Sequence, residues 1–199
     1  MDFYQDLKDE ELIKKVVQND EEAFYELFKR YENKIFNLVY RYIGTYHEAE
    51  ELTQDVFLKV YNSVHKFRGE SKLFTWLYRI AINTCKNYKR KKQPTVVSID
   101  SPVSTRYSRK NSTELFAPRS SEPENILAEK QKKVIIQQAL DSLAPNQKTA
   151  FILSKYEGYS YAEIAEIMKI SVSAVESLLF RTKQELKKKL LMYKQRGEI

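Results

Sequence analysis

Between Gln93 and about Pro123 the apolar periodicity of the chain stops, while Pro94, Pro102, Pro118 and Pro123 punctuate a stretch dense in Ser and Thr. A run of roughly thirty residues without patterned apolar positions is too long for an ordinary loop inside one domain. It predicts a linker over 93–123 that joins two separately organised halves, 1–92 and 124–199. Both halves read as helical. Only 4 Gly and 5 Pro occur in 199 residues, which disfavours turn-rich β folds and glycine-rich phosphate loops. The expected fold class is all-α, two small helical domains on a flexible linker.

The helices follow from apolar spacings of three and four. A short one over 9–18 is expected to be capped by Asp9, with Leu12, Val16 and Val17 inward. A second starts near Asp20, carries Phe24, Leu27, Phe28, Tyr31, Ile35, Leu38, Val39 and Tyr42, and stops at Gly44. A third covers about 47–64 with Leu52, Val56, Phe57, Val60, Tyr61 and Val64 on one side. After a break at Gly69, Ser71 is placed to cap a fourth over 72–91, with Phe74, Leu77, Ile80, Ala81 and Thr84 inward. In the second half, a helix through Ile126, Leu127, Val134, Ile135, Ala139 and Leu140 is followed by one opened by Pro145 and ended by Gly158. Ser160 and Glu163 form a capping-box pattern before Ile164, Ala165, Ile167 and Met168. A last helix runs over about 172–193 with Val175, Leu179, Leu186 and Leu190 inward.

Charge is unevenly distributed. Residues 1–60 carry 8 basic and 14 acidic side chains, net −6, whereas 61–92 carry 9 and 1, net +8. Residues 126–199 carry 13 and 8, net +5. Two separated basic regions suit a polyanion touched at two places. The single cysteine, Cys85, allows no internal disulfide and fits a reducing compartment. No apolar run reaches the roughly 18–20 residues of a membrane span, and the acidic N-terminus lacks a signal-peptide pattern; a cytoplasmic location without membrane insertion is expected. His47 and His65 stand apart from any ligand constellation, so no metal, cofactor or catalytic group is expected.

Two stretches carry chemistry. Residues 160–181 (SYAEIAEIMKISVSAVESLLFR) have the pattern of a helix-turn-helix: a short helix with small Ala165 at its middle, a turn with Ile170, and a second helix with Val175 and Leu179 inward. Ser171 or Ser173 caps that second helix. Ser173, Ala174, Ser177, Phe180 and Arg181 point away from the packed stripe, where Arg181 suits guanine or phosphate and Lys183, Lys187, Lys188 and Lys189 suit phosphates. Residues 65–92 mix aromatics, cations and carboxamides: Phe67, Arg68, Trp76, Arg79, Asn83, Lys86, Asn87 and the run Lys89–Lys92. Rings stack on unpaired bases, cations track a backbone and Asn reads a base edge.

On these residues the chain resembles a known family. The run HEAEELTQDVFLKVYNSVHKFRGESKLFTWLYRIAINTCKNYKRKK (47–92) is similar to region 2 of extracytoplasmic-function (ECF) sigma factors, and ALDSLAPNQKTAFILSKYEGYSYAEIAEIMKISVSAVESLLFRTKQELKKKL (139–190) to their region 4. The resemblance implies a non-enzymatic RNA polymerase subunit that directs polymerase to promoters and melts DNA. It assigns Glu48, Glu51, Leu52, Gln54, Asp55 and Phe57 to the clamp helices of the largest polymerase subunit. Capture of the single-stranded −10 element falls to Lys66, Phe67, Arg68, Ser71, Trp76, Arg79, Asn83, Lys86 and Asn87. The double-stranded −35 element falls to Ser173, Ala174, Glu176, Ser177, Phe180 and Arg181. Some relatives place arginines where this chain has Glu176 and Leu178; a carboxylate there repels phosphate but accepts from cytosine N4, so the −35 preference stays open. An anti-sigma factor is a further implied partner. The rival readings are a dimeric helix-turn-helix regulator, which leaves 47–92 unused, and a nuclease, which lacks a metal cage.

Overall fold

The computed structural model describes residues 3–92 and 123–197, with the side chains of 123–130 left aside. The expected linker therefore lies outside the described residues except for Pro123, which opens α5, and so do the side chains of Ile126 and Leu127. Every extended element described is α-helical: α1 (Asp9–Val17), α2 (Glu21–Ile43), α3 (Tyr46–Ser63), α4 (Leu73–Lys92), α5 (Pro123–Asp141), α6 (Pro145–Lys155), α7 (Tyr161–Met168) and α8 (Val172–Gln195), with single 3-10 turns at Phe3–Asp6 and Val64–Lys66.

In the first half α2, α3 and α4 pack on one another, and α1 packs on α2 and, to a smaller extent, on α4. The reason is the apolar stripe of each helix: Leu27, Ile35, Leu38 and Val39 of α2 meet Ala49, Val56 and Val60 of α3 and Leu77, Ala81 and Cys85 of α4, all almost fully buried. The Cys85 thiol lies wholly inside, and burial pushes its pKa up to about 12. Asp20 caps α2, accepting from the Ala23 N–H at 3.0 Å, and Gly44 ends it in the left-handed region at φ 92°. The N-terminal segment is fastened by Arg30 of α2. Its guanidinium donates to Glu26 (2.8 Å), Asp9 (3.1 Å) and the carbonyls of Leu7 (2.8 Å), Tyr4 (2.7 Å) and Gln5 (3.0 Å).

Two expected caps differ. The N-cap of α1 is Lys8, and Asp9 stands one residue inside the helix with its carboxylate turned to Arg30 and the Tyr31 hydroxyl. A charge partner outcompetes the local backbone donors for that carboxylate. For α4, the first helical bond runs from the Trp76 N–H to the Lys72 carbonyl, so Lys72 and not Ser71 occupies the cap. Val17, Tyr61 and Val134, expected inward, are exposed at the margins of their stripes.

In the second half, Pro145 occupies the first turn of α6 and Gln147 caps back onto the Ala144 N–H at 3.0 Å. Ser160 and Glu163 form the expected capping box on α7: the Glu163 carboxylate accepts from the Ser160 N–H (2.9 Å) and hydroxyl (2.8 Å). Ile164 and Val175, fully buried, and Ala165, nearly so, fill the wedge between α7 and α8. The turn between them is set by Lys169 in the left-handed region (φ 55°, ψ 49°) and by Ser171, whose hydroxyl accepts from the Ala174 N–H. A smaller cluster of Ala139, Leu140, Leu143 and Leu186 joins α5 to α8.

The halves lie against each other. One apolar core runs from α2 and α4 into α6 and α7, where Ile152, Leu153, Ile164 and Ile167 continue it.

Leu27→Ala, which empties a fully buried site, is expected to cost about 2–5 kcal/mol in urea unfolding. Ser160→Ala is expected to cost about 1 kcal/mol. The hydrogen bonds from the Ser160 hydroxyl and N–H hold the Glu163 carboxyl below its ordinary value. A depressed carboxyl pKa stabilises above the unfolded value and is lost as pH falls through the folded one. The difference between wild type and Ser160→Ala should therefore narrow once pH drops below the ordinary glutamate value of 4.5.

Candidate nucleic-acid interface

The basic helix α4 carries its polar residues on a stripe set by helical spacing. Asn83 and Asn87, one turn apart, are exposed; Arg79 and Lys86 flank them and are half-buried. At the N-terminal end of the stripe the indole of Trp76 packs on Phe67 from the preceding loop, with ring centroids 5.3 Å apart and planes at 54°. Both rings are half-buried, while Lys66 and Arg68 beside them are exposed and Ser71 is partly covered. This arrangement offers a tilted aromatic platform, two carboxamides and a rim of cations, which is the chemistry that holds unpaired bases.

Two of these residues are not free. The Arg79 guanidinium donates to the Glu166 carbonyl (2.6 Å) and the Ile167 carbonyl (3.3 Å), at the C-terminal end of α7. The Lys86 ammonium donates to the Asn146 side chain of α6 (2.9 Å), and burial there holds its pKa below the ordinary lysine value.

The helix-turn-helix presents a second face. Ser173, Glu176, Ser177, Phe180 and Arg181 of α8 are exposed, and Ala174 is half-buried. Phe180, 65% exposed, is the most exposed large apolar side chain among the described residues. Glu176, Ser177, Phe180 and Arg181 line one shallow depression, and the Arg181 Nε folds back onto the Ser177 carbonyl at 3.3 Å. Leu178 packs partly against the core, so its side chain does not join that face.

The third expected surface, on α3, narrows. Leu52 and Phe57 are each 4% exposed, and Phe57 meets the Phe28 ring edge-on at 4.7 Å. Both belong to the core stripe and offer nothing to a partner, which corrects their expected role. Glu51, Gln54 and Asp55 are exposed. Glu48 is engaged by Lys92: burial pushes its carboxyl up, but hydrogen bonds from Lys92, Thr45 and Tyr88 prevail and hold it below the usual range. Leu58, 61% exposed, extends the face one turn beyond Glu51, Gln54 and Asp55. The spacing 51, 54, 55, 58 was the signal that could have found it.

His47 and His65 are exposed, His47 beside Glu51 at 3.4 Å. Among the described residues no group of three His, Cys, Asp or Glu side chains is placed to hold a metal. No helix among them is long and apolar enough to cross a membrane.

Comparison with known proteins matches Sigma-70 region 2 to residues 27–95 and Sigma-70, region 4 to residues 133–186. The chain is 35% identical over 186 residues to the ECF RNA polymerase sigma-E factor of Haemophilus influenzae, covering 92% of this chain and 96% of that protein. The fold is similar to CnrH, solved in complex with the cytosolic domain of CnrY, at 19% identity and a TM-score of 0.63 over 90% of this chain and 94% of that one. It is also similar to the sigma factor RpoE of Bartonella quintana, solved with the anti-sigma factor NepR, at 19% identity and a TM-score of 0.56 over 84% and 96%.

Because Phe180 and Arg181 hold nothing of the core, Phe180→Ala and Arg181→Ala should each change unfolding free energy by no more than about 0.5 kcal/mol. A thermal melt checks this. A larger loss in either variant would make the α8 face structural.

Proposed function

The chain belongs to the ECF branch of RNA polymerase sigma factors, and from that premise we propose how its surfaces divide the work of initiation. Glu51, Gln54, Asp55 and Leu58 of α3 dock on the clamp helices of the largest polymerase subunit. The exposed carboxylates suit basic partner side chains, and Leu58 supplies apolar contact. Glu48, paired with Lys92, sits at the edge of this surface.

The α4 stripe with its preceding loop captures the unpaired −10 strand. Phe67 and Trp76 stack on or wall in extruded bases; Ser71, Asn83 and Asn87 read their edges; Lys66, Arg68, Arg79 and Lys86 follow the phosphates. The observation that carries this reading is the tilted Phe67–Trp76 pair at the head of an exposed carboxamide stripe.

The α8 face lies in the major groove of the −35 element. Ser173, Ser177 and Arg181 contact bases or phosphates, and Ala174 and Phe180 offer apolar contact to thymine methyls. Glu176 favours cytosine at its position. No step makes or breaks a covalent bond, so the protein acts by binding alone and is not an enzyme. An anti-sigma protein is the regulatory partner of this arrangement.

In vitro transcription with core polymerase tests the division. Trp76→Ala and Asn83→Ala should slow open-complex formation, Trp76→Ala by about 5- to 150-fold, the equivalent of one lost stack. Affinity for core polymerase should hardly change. Glu51→Lys with Asp55→Lys should do the reverse, weakening polymerase binding in a salt-dependent way. If the α4 variants instead abolish polymerase binding and spare melting, the assignment of the two helices is wrong.

A further inference from the structure

The run Lys89–Lys92 closes α4 with four cations in succession. Such a run suits the negative end of a helix dipole but repels itself across one turn. The fold divides the four by helical spacing. Lys89 and Lys92 turn toward the corner between α2 and α3. The Lys89 ammonium donates to the Ile43 carbonyl at the end of α2 (3.3 Å) and to Asp141 (3.0 Å), and Lys92 pairs with Glu48 in the first turn of α3. Arg90 and Lys91 are exposed and stand three and four residues past Asn87, which is itself four past Asn83. They therefore continue the carboxamide stripe by one turn. Glu48 has more than one partner. Its carboxylate also accepts from Thr45, the N-cap residue of α3, and from Tyr88, and the Lys92 ammonium lies over the Tyr88 ring at 5.2 Å. A lone exposed ion pair holds little. One carboxylate shared by three donors, with a ring beneath the cation, fixes a helix end that its own backbone bonds would leave to fray.

We infer that Glu48 is a positioning residue for nucleic-acid binding: it holds the last turn of α4 helical and so keeps Arg90 and Lys91 in line with Asn83 and Asn87, as the phosphate-binding end of that stripe. The inference rests on the assignment of α4 to the −10 strand and adds two contacts and the residue that places them. It gives an acidic side chain of α3 a role toward DNA, although its own charge repels phosphate. The geometry separates Glu48 from its neighbours. Glu51, Gln54 and Asp55 are exposed, whereas the Glu48 side chain is 26% exposed and turned to Lys92. Coulomb attraction alone predicts the opposite effect. Neutralising Glu48 raises the positive charge and frees Lys92, so DNA binding should strengthen. If Glu48 acts by positioning, its neutralisation weakens DNA binding instead. The two accounts differ in sign.

The test uses the full chain assembled with core polymerase on a promoter fragment that the wild-type holoenzyme opens, with DNA affinity measured against salt. Arg90→Ala with Lys91→Ala should lower the slope of log affinity on log salt by about 1.4–1.8, two contacts at about 0.7–0.9 each. Glu48→Gln and Lys92→Met should each weaken binding and lower the slope by up to that amount. The double variant should fall no further than the worse single one, since both break the same tie. Lys92→Arg, which keeps the pair, should bind as wild type does. Backbone amides of residues 89–92 should exchange faster in Glu48→Gln, while its affinity for core polymerase changes by less than about twofold, well inside one factor of ten. Stronger DNA binding by Glu48→Gln overturns the positioning role. So do additive losses in the double variant, unchanged amide exchange, or a loss of polymerase affinity like that of Glu51→Lys with Asp55→Lys. Trp76→Ala keeps two failures apart. If it impairs opening while Glu48→Gln does not, only the positioning role fails; open complexes at the wild-type rate from Trp76→Ala remove α4 from the −10 strand altogether.

Discussion

A helix end leaves its last carbonyls without donors, and in this protein several cations answer them. Arg30 gathers the carbonyls of Tyr4, Gln5 and Leu7 and so fixes the N-terminal turn to α2. Lys148 and Lys89 serve the end of α2, and Arg79 serves the end of α7. Arg79 and Lys86, both expected from the sequence to meet nucleic acid, each donate to the second half of the chain.

Much of the fold was legible because its signals are local. Asp20, Gly44, Pro145 and the Ser160–Glu163 box act within four residues of themselves and were readable from spacing alone, whereas spacing left the α8 cap open between Ser171 and Ser173 and the fold uses Ser171. Asp9 and Ser71 show where that logic stops. Asp9 has cap chemistry, but Arg30, twenty-one residues away, holds its carboxylate. Nothing in a short window announces that competitor. Apolar periodicity likewise placed Leu27, Ile35, Val56 and Val175 in the core but not the margins of the stripe, so Tyr61 and Val134 face outward.

The candidate site divides in the same way. The wedge residues Ile164, Ala165 and Val175 follow from a local motif, and so does the exposure of Ser173, Ser177, Phe180 and Arg181 opposite them. On α3, the family resemblance put Leu52 and Phe57 on the docking face, although the helical period assigns them to the buried side and leaves Leu58 outside. The partners of Arg79 and Lys86 are eighty-seven and sixty residues distant. Contacts at that range leave no periodic trace, and only the folded chain reveals them.

The setting of Cys85 has a consequence for how stress can reach this molecule. Its sulfur is enclosed between packed helices and keeps its proton at any physiological pH. Peroxide and alkylating agents attack the thiolate, so they find no foothold in the native state. Oxidation of the native protein therefore has no route through its one cysteine.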